Sequence, residues 1–205
     1  MWGLIYLLLA GFAVYQLLVR AASSPRVAAA RPWFVLSCAL NAGWLVAWHA
    51  LAIAVSEVLM VGLLVTLIVL YLRIDAWRAR PSEPLERWLL DLPFSVYLGW
   101  ISVATMANTA VFMVSLGFDG GDAAVPITVV MVTAAAALGI LGAATRHDWG
   151  YTLVIAWGLG GVMAARLTED GGWGAIAVAA LVAVVALAGA AVYAAARPRR
   201  SALFG

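Results

Sequence analysis

Residues 58–72 read VLMVGLLVTLIVLYL, and they sit inside the run 56–74, where Glu57 and Arg73 are the only charged residues. A helix that crosses a bilayer needs roughly 20 predominantly apolar residues. This run has the length, and its apolar residues do not alternate with polar ones as in a barrel strand. It is therefore read as a membrane helix, the structure that satisfies every backbone group within its own segment. Outward from it, six more runs qualify: 1–19, 32–55, 88–116, 125–144, 149–167 and 173–196. The first has no basic leader and no small-residue cleavage site, so it reads as a retained span. The expected fold is all-α, a polytopic transmembrane bundle of about seven spans.

Composition agrees. Hydrophobic residues make up 66% of the 205-residue chain and charged residues 11%. An ordinary soluble domain is about half apolar and a quarter charged. The net charge of +2 comes from residues clustered between the runs, which gives no argument for a nucleic-acid partner. The expected surroundings are membrane lipid. Cys38 is the single cysteine, so no intrachain disulfide can form, and no neighbouring residues complete a metal site.

All twelve basic residues are arginine, and their placement alternates. Arg20, Arg26 and Arg31 follow the first span. Arg73, Arg78, Arg80 and Arg87 follow the third, Arg146 the fifth, and Arg197, Arg199 and Arg200 the seventh. The loops after spans four and six carry Asp119, Asp122, Glu169 and Asp170 instead. Cytoplasmic loops are enriched in arginine and lysine. The expectation is a multi-pass cell-membrane protein with its N-terminus outside and its C-terminus in the cytoplasm. Arg166 breaks the alternation and is expected to pair with Glu169 or Asp170. Trp33, Trp77, Trp88, Trp149 and Trp173 fall at expected helix ends, as interfacial tryptophans do. Trp157 lies deeper. Spans five to seven are rich in Ala, Val and Gly, which permits close helix approach. Gly158-Leu-Gly-Gly161 is a candidate contact there, and a homodimer surface is one use of it. Two parts are expected, 1–117 and a C-terminal extension, 118–205.

Polar side chains within a bilayer serve either as packing contacts or in function. Asn41, Trp44 and Trp48 stand at i, i+3 and i+7 on span two, so they share one helix face. Trp100, Ala104 and Asn108 stand at i, i+4 and i+8 on span four. Trp2 and Tyr6 on span one reach the same outer level, and Tyr97, Ser102 and Thr105 add polar groups to span four. Together these would line an aromatic pocket with a few hydrogen-bonding groups, suited to a flat hydrophobic ligand with polar edges. The alternative is that the two asparagines bond across helices while the tryptophans fill the core.

The motifs also carry a resemblance. Leu40-Asn41-Ala-Gly-Trp44 resembles the Leu-Asn-x-x-Trp helix of the TspO/MBR family, the tryptophan-rich sensory proteins related to the mitochondrial translocator protein. Trp100-Ile-Ser-Val-Ala104-Thr-Met-Ala-Asn108 is similar to that family's last helix, and Trp2-Gly-Leu-Ile-Tyr6 to its second. The order agrees over residues 1–116, so the first four spans resemble the family's helices two to five. The resemblance implies a pocket that binds porphyrins, with Asn41, Trp44, Trp100, Ala104 and Asn108 facing it. Trp2, Tyr6, Trp48 and Tyr97 complete the candidate ligand-binding set. No resident cofactor is implied beyond a porphyrin ligand. The family's Trp-x-Pro-Pro loop has no counterpart in this sequence, its proline is Val96 and its phenylalanine Val103. Three further spans follow Asn108.

Rival classes are less well supported. A covalently bound retinal needs a lysine, and the chain has none. An ion-coupled carrier needs ionisable groups mid-membrane, whereas His49, Glu57 and Asp91 fall near span ends. A membrane enzyme would have to use His49 with Glu57, eight residues apart across a tight turn, for general acid–base chemistry. No catalytic residue is assigned, and the balance leans away from an enzyme. A structural or assembly subunit is the remaining class.

Overall fold

The computed structural model describes residues 1–18, 23–78, 81, 84–118, 120–169 and 174–196, all but the side chain of Glu169. Seven α-helices and no strand occur among them: α1 (Trp2–Tyr15), α2 (Pro25–His49), α3 (Ile53–Arg73), α4 (Leu92–Ser115), α5 (Ala124–Arg146), α6 (Trp149–Glu169) and α7 (Ala175–Ala196). A π-turn, Arg87–Asp91, leads directly into α4. Five stretches are long and apolar enough to cross a membrane: Ile53–Arg73, Arg87–Ser115, Gly121–Arg146, Trp149–Thr168 and Ala175–Ala196. The chain divides into two units, Met1–Ala124 and Val125–Gly205.

In the first unit α3 packs against both α2 and α4, and α1 lies against α4. Ile5, Phe12, Leu63, Leu67, Leu70, Phe94 and Ile101 form its buried interior. Phe12, Phe34 and Phe94 meet edge to face, with centroids 4.9–6.1 Å apart, and so tie α1, α2 and α4 together. The outer faces are as apolar as the interior: Leu7, Val46 and Val58 are each 70% exposed or more. Continuous apolar surface of this kind has lipid as its solvent.

Helix α2 differs from the expected 32–55. Pro25 takes the first helical position, where its missing N–H costs nothing, and Ser24 caps the turn by accepting from the Val27 amide. Pro32 is therefore inside the helix and not at its start. The α2–α3 break falls at residues 50–52, earlier than the expected 55/56. Leu51 adopts φ +55°, its amide donates to the Trp48 carbonyl, and the Ala52 amide donates to that of Ala47. These two bonds make a Schellman end. Asp75 (φ +44°) closes α3 in the same way, with Ala76 donating to Tyr71.

In the second unit α6 packs on α7. A Cβ at Gly139 would come within 2.4 Å of Leu187, and one at Gly142 within 2.9 Å of Tyr151, so these are the close approaches. Gly160 and Gly161 face open space, while Leu159 in the same stretch is buried. Trp157 is 66% exposed on the apolar surface, and Trp77 is buried where an interfacial ring was expected. Trp173, Asp119, Asp170 and the arginines at 20, 80, 197, 199 and 200 lie outside the described residues.

Candidate functional site

The helix periods place one face of α2 opposite one face of α4, and the side chains there meet. Trp2, in the first turn of α1, stacks on Trp44 with centroids 5.5 Å apart and planes 26° from parallel. It also stacks on Tyr6 (5.6 Å) and meets Trp100 edge-on at 6.2 Å. Trp44 stacks in turn on Trp48 at 6.0 Å. All of these lie within the 4.5–7 Å range of favourable aromatic pairs. Three helices thus supply a single cluster of four indoles and a phenol.

Amide groups border the cluster. Asn41 Nδ2 donates to the Tyr6 hydroxyl at 3.2 Å. Trp44 Nε1 donates to Asn108 Oδ1 at 3.2 Å, which joins α2 to α4 directly. Asn108 is 3% exposed, and its Nδ2 donates to Glu57 Oε2 at 2.6 Å. Thr109 Oγ1 donates to the other carboxylate oxygen at 2.7 Å. Both oxygens of Glu57 therefore accept a hydrogen bond. Among the described residues, Asn41 Oδ1 and Trp100 Nε1 are buried without a hydrogen-bond partner.

Seven of the nine sequence-derived residues are linked in this way: Trp2, Tyr6, Asn41, Trp44, Trp48, Trp100 and Asn108. Tyr97 is fully buried one turn before Trp100, and Ala104 is half-buried one turn after it; neither makes a hydrogen bond or ring contact with the cluster. Ser102 and Thr105 donate to the carbonyls of Leu98 and Ile101 on their own helix, a local bond that serves helical serines and threonines. His49 and Glu57, the pair a membrane enzyme would have to use, do not meet. His49 is exposed and bonds the Leu45 carbonyl of its own helix, while Glu57 is held by α4.

A second polar centre was not apparent from the sequence. At the start of α2, Arg26 pairs with Glu86 (3.0 Å) and Asp91 and donates to the Ile74 carbonyl (2.9 Å). Arg87 pairs with Asp91 at 2.7 Å, and its guanidinium lies 5.8 Å from the centroid of Trp77. Ser24 donates to Glu86, and Trp77 Nε1 to Ser95 at 2.6 Å. Glu86 and Asp91 are completely buried. The i, i+4 spacing of Arg87 and Asp91 was the one visible signal. Among the described residues, no group of three or more histidines, cysteines or carboxylates could hold a metal.

The family model described as TSPO-like protein covers residues 1–193. It runs well past residue 116, where the motif resemblance stopped, and through most of α7. No curated protein and no solved structure matches the chain.

Proposed function

The chain belongs to the TSPO-like protein family, and on that premise we propose that it binds a flat hydrophobic ligand such as a tetrapyrrole within the membrane, for sensing or transfer. The site is the aromatic cluster of α1, α2 and α4. The observation that carries this reading is the stacking of Trp2 on Trp44 beside Trp100, bordered by Asn41 and Asn108. Trp44 is stacked on both Trp2 and Trp48, so a planar ligand would bind by extending or displacing that stack. The free acceptor of Asn41 and the free donor of Trp100 suit a ligand that carries polar groups at its edge. Burying such atoms unpaired costs free energy that a bound ligand would recover.

The protein is read as a multi-pass protein of the cell membrane, N-terminus outside, with lipid as its constant neighbour. Under this orientation the aromatic cluster lies toward the outer side. The apolar faces of the second unit are available to lipid or to a second copy of the chain.

The test is a titration of the purified protein with protoporphyrin, following tryptophan fluorescence. Saturable quenching is expected, with affinity reduced about tenfold in Trp100→Phe, which loses the indole N–H and part of the aromatic surface. Quenching that is non-saturable, or unchanged in both Trp44→Phe and Trp100→Phe, would refute the reading.

A further inference from the structure

Glu57 is a carboxylate in a membrane helix with no ion-pair partner among the described residues. Charged groups at such positions are costly and are normally paired or functional. Two donors, Asn108 and Thr109, hold one oxygen each and leave further lone pairs on both. Through Asn108 the carboxylate is one residue removed from Trp44. Trp44 belongs to a cluster of four indoles, whose faces are the electronegative part of the ring and attract cations. Among the described residues, no arginine bonds to or stacks on a member of the cluster; Arg87 lies over Trp77 of the other polar centre. The Glu57 carboxylate and the indole faces favour positive charge, while the unpartnered Trp100 N–H is a neutral donor.

We propose that the site takes its ligand by a positively charged or protonated-nitrogen edge, and that Glu57 is the residue that selects for that charge. This rests on the aromatic cluster being the ligand site. It ranks hydrophobic organic cations, and tetrapyrroles with cationic side arms, above porphyrins that bind as free carboxylates.

The experiment uses one macrocycle with three edges: protoporphyrin (carboxylate), its dimethyl ester (neutral) and its bis(2-dimethylaminoethyl) amide (cationic). Affinities are measured on the full chain and on Glu57→Gln, which keeps the side-chain length and removes the charge. In the unmodified chain the cationic form should bind on the order of tenfold more tightly than the carboxylate form, as a single charge at close range in a partly buried site provides. In Glu57→Gln that ratio should fall close to one while the neutral ester keeps its affinity. Thr109→Val, which retains the carboxylate, should keep the preference; this variant guards against a general loss of structure in Glu57→Gln. Equal binding of all three forms by the unmodified chain, or a preference that survives in Glu57→Gln, overturns the inference and leaves the ligand site standing. Failure of all three to bind overturns both.

Discussion

Asn108 stands between an indole and a carboxylate. Its oxygen accepts from Trp44 and its amide donates to Glu57, at 3% exposure. Asn108→Ala would leave the Trp44 N–H and one Glu57 oxygen without partners away from bulk water. An orphaned buried group costs about 1–3 kcal/mol, more when it is charged. The expected outcome is a loss of at least that size in thermal unfolding in detergent, with Asn108→Asp worse because it sets a second negative charge beside Glu57. By contrast, Thr105→Ala removes only a bond to its own helix and should change stability by less than about 0.5 kcal/mol. The α2 and α4 faces were legible because the i, i+3, i+7 and i, i+4, i+8 spacings fix which residues share a side. The bonds of Asn108 to Glu57 and of Thr109 to Glu57 were not, since they join residues 51 and 52 positions apart and no local pattern encodes them.

Helix existence was visible in runs of apolar residues, but several helix ends were hidden. Gly117 (φ +84°), followed by a Phe118-to-Met113 bond, closes α4 in the way a glycine signals. Leu51 and Asp75 close α2 and α3 with the same geometry but without glycine; the charged Arg73 and Asp75 marked the end of α3, while nothing marked that of α2. A pairing of His49 with Glu57 across the turn at Leu51, left open by the sequence, is not made. The start of α2 carries the other hidden feature. Arginines 26 and 87, read as topogenic charges, are built into a buried cluster with Glu86 and Asp91. Removing one partner of a buried ion pair costs about 3–5 kcal/mol, since its counter-charge stays behind unpaired. Arg26→Ala should lower the unfolding midpoint far more than Arg31→Ala, whose guanidinium bonds only the Gln16 carbonyl. Near-equal midpoints for the two variants would mean that the cluster contributes little.

At the scale of the molecule, the exposure of apolar residues on every helix assigns the solvent, and arginine placement carries the proposed direction. With Cys38 replaced by serine, a cysteine at Ser115 should react with an impermeant thiol reagent on intact cells. One at Thr145 should react only after the membrane is opened. The reverse pattern would invert the topology. The central claim is that α1, α2 and α4 join to hold a ligand against Trp44 and Trp100. Indole N–H resonances of the ¹⁵N-tryptophan-labelled protein, followed during protoporphyrin titration, test it most directly. The Trp100 N–H, buried without a partner, and the Trp44 N–H, bonded to Asn108, should shift saturably. The Trp77 N–H, bonded to Ser95 beside the ion cluster, should stay in place. Shifts of similar size at all three, or at Trp77 alone, would contradict the account.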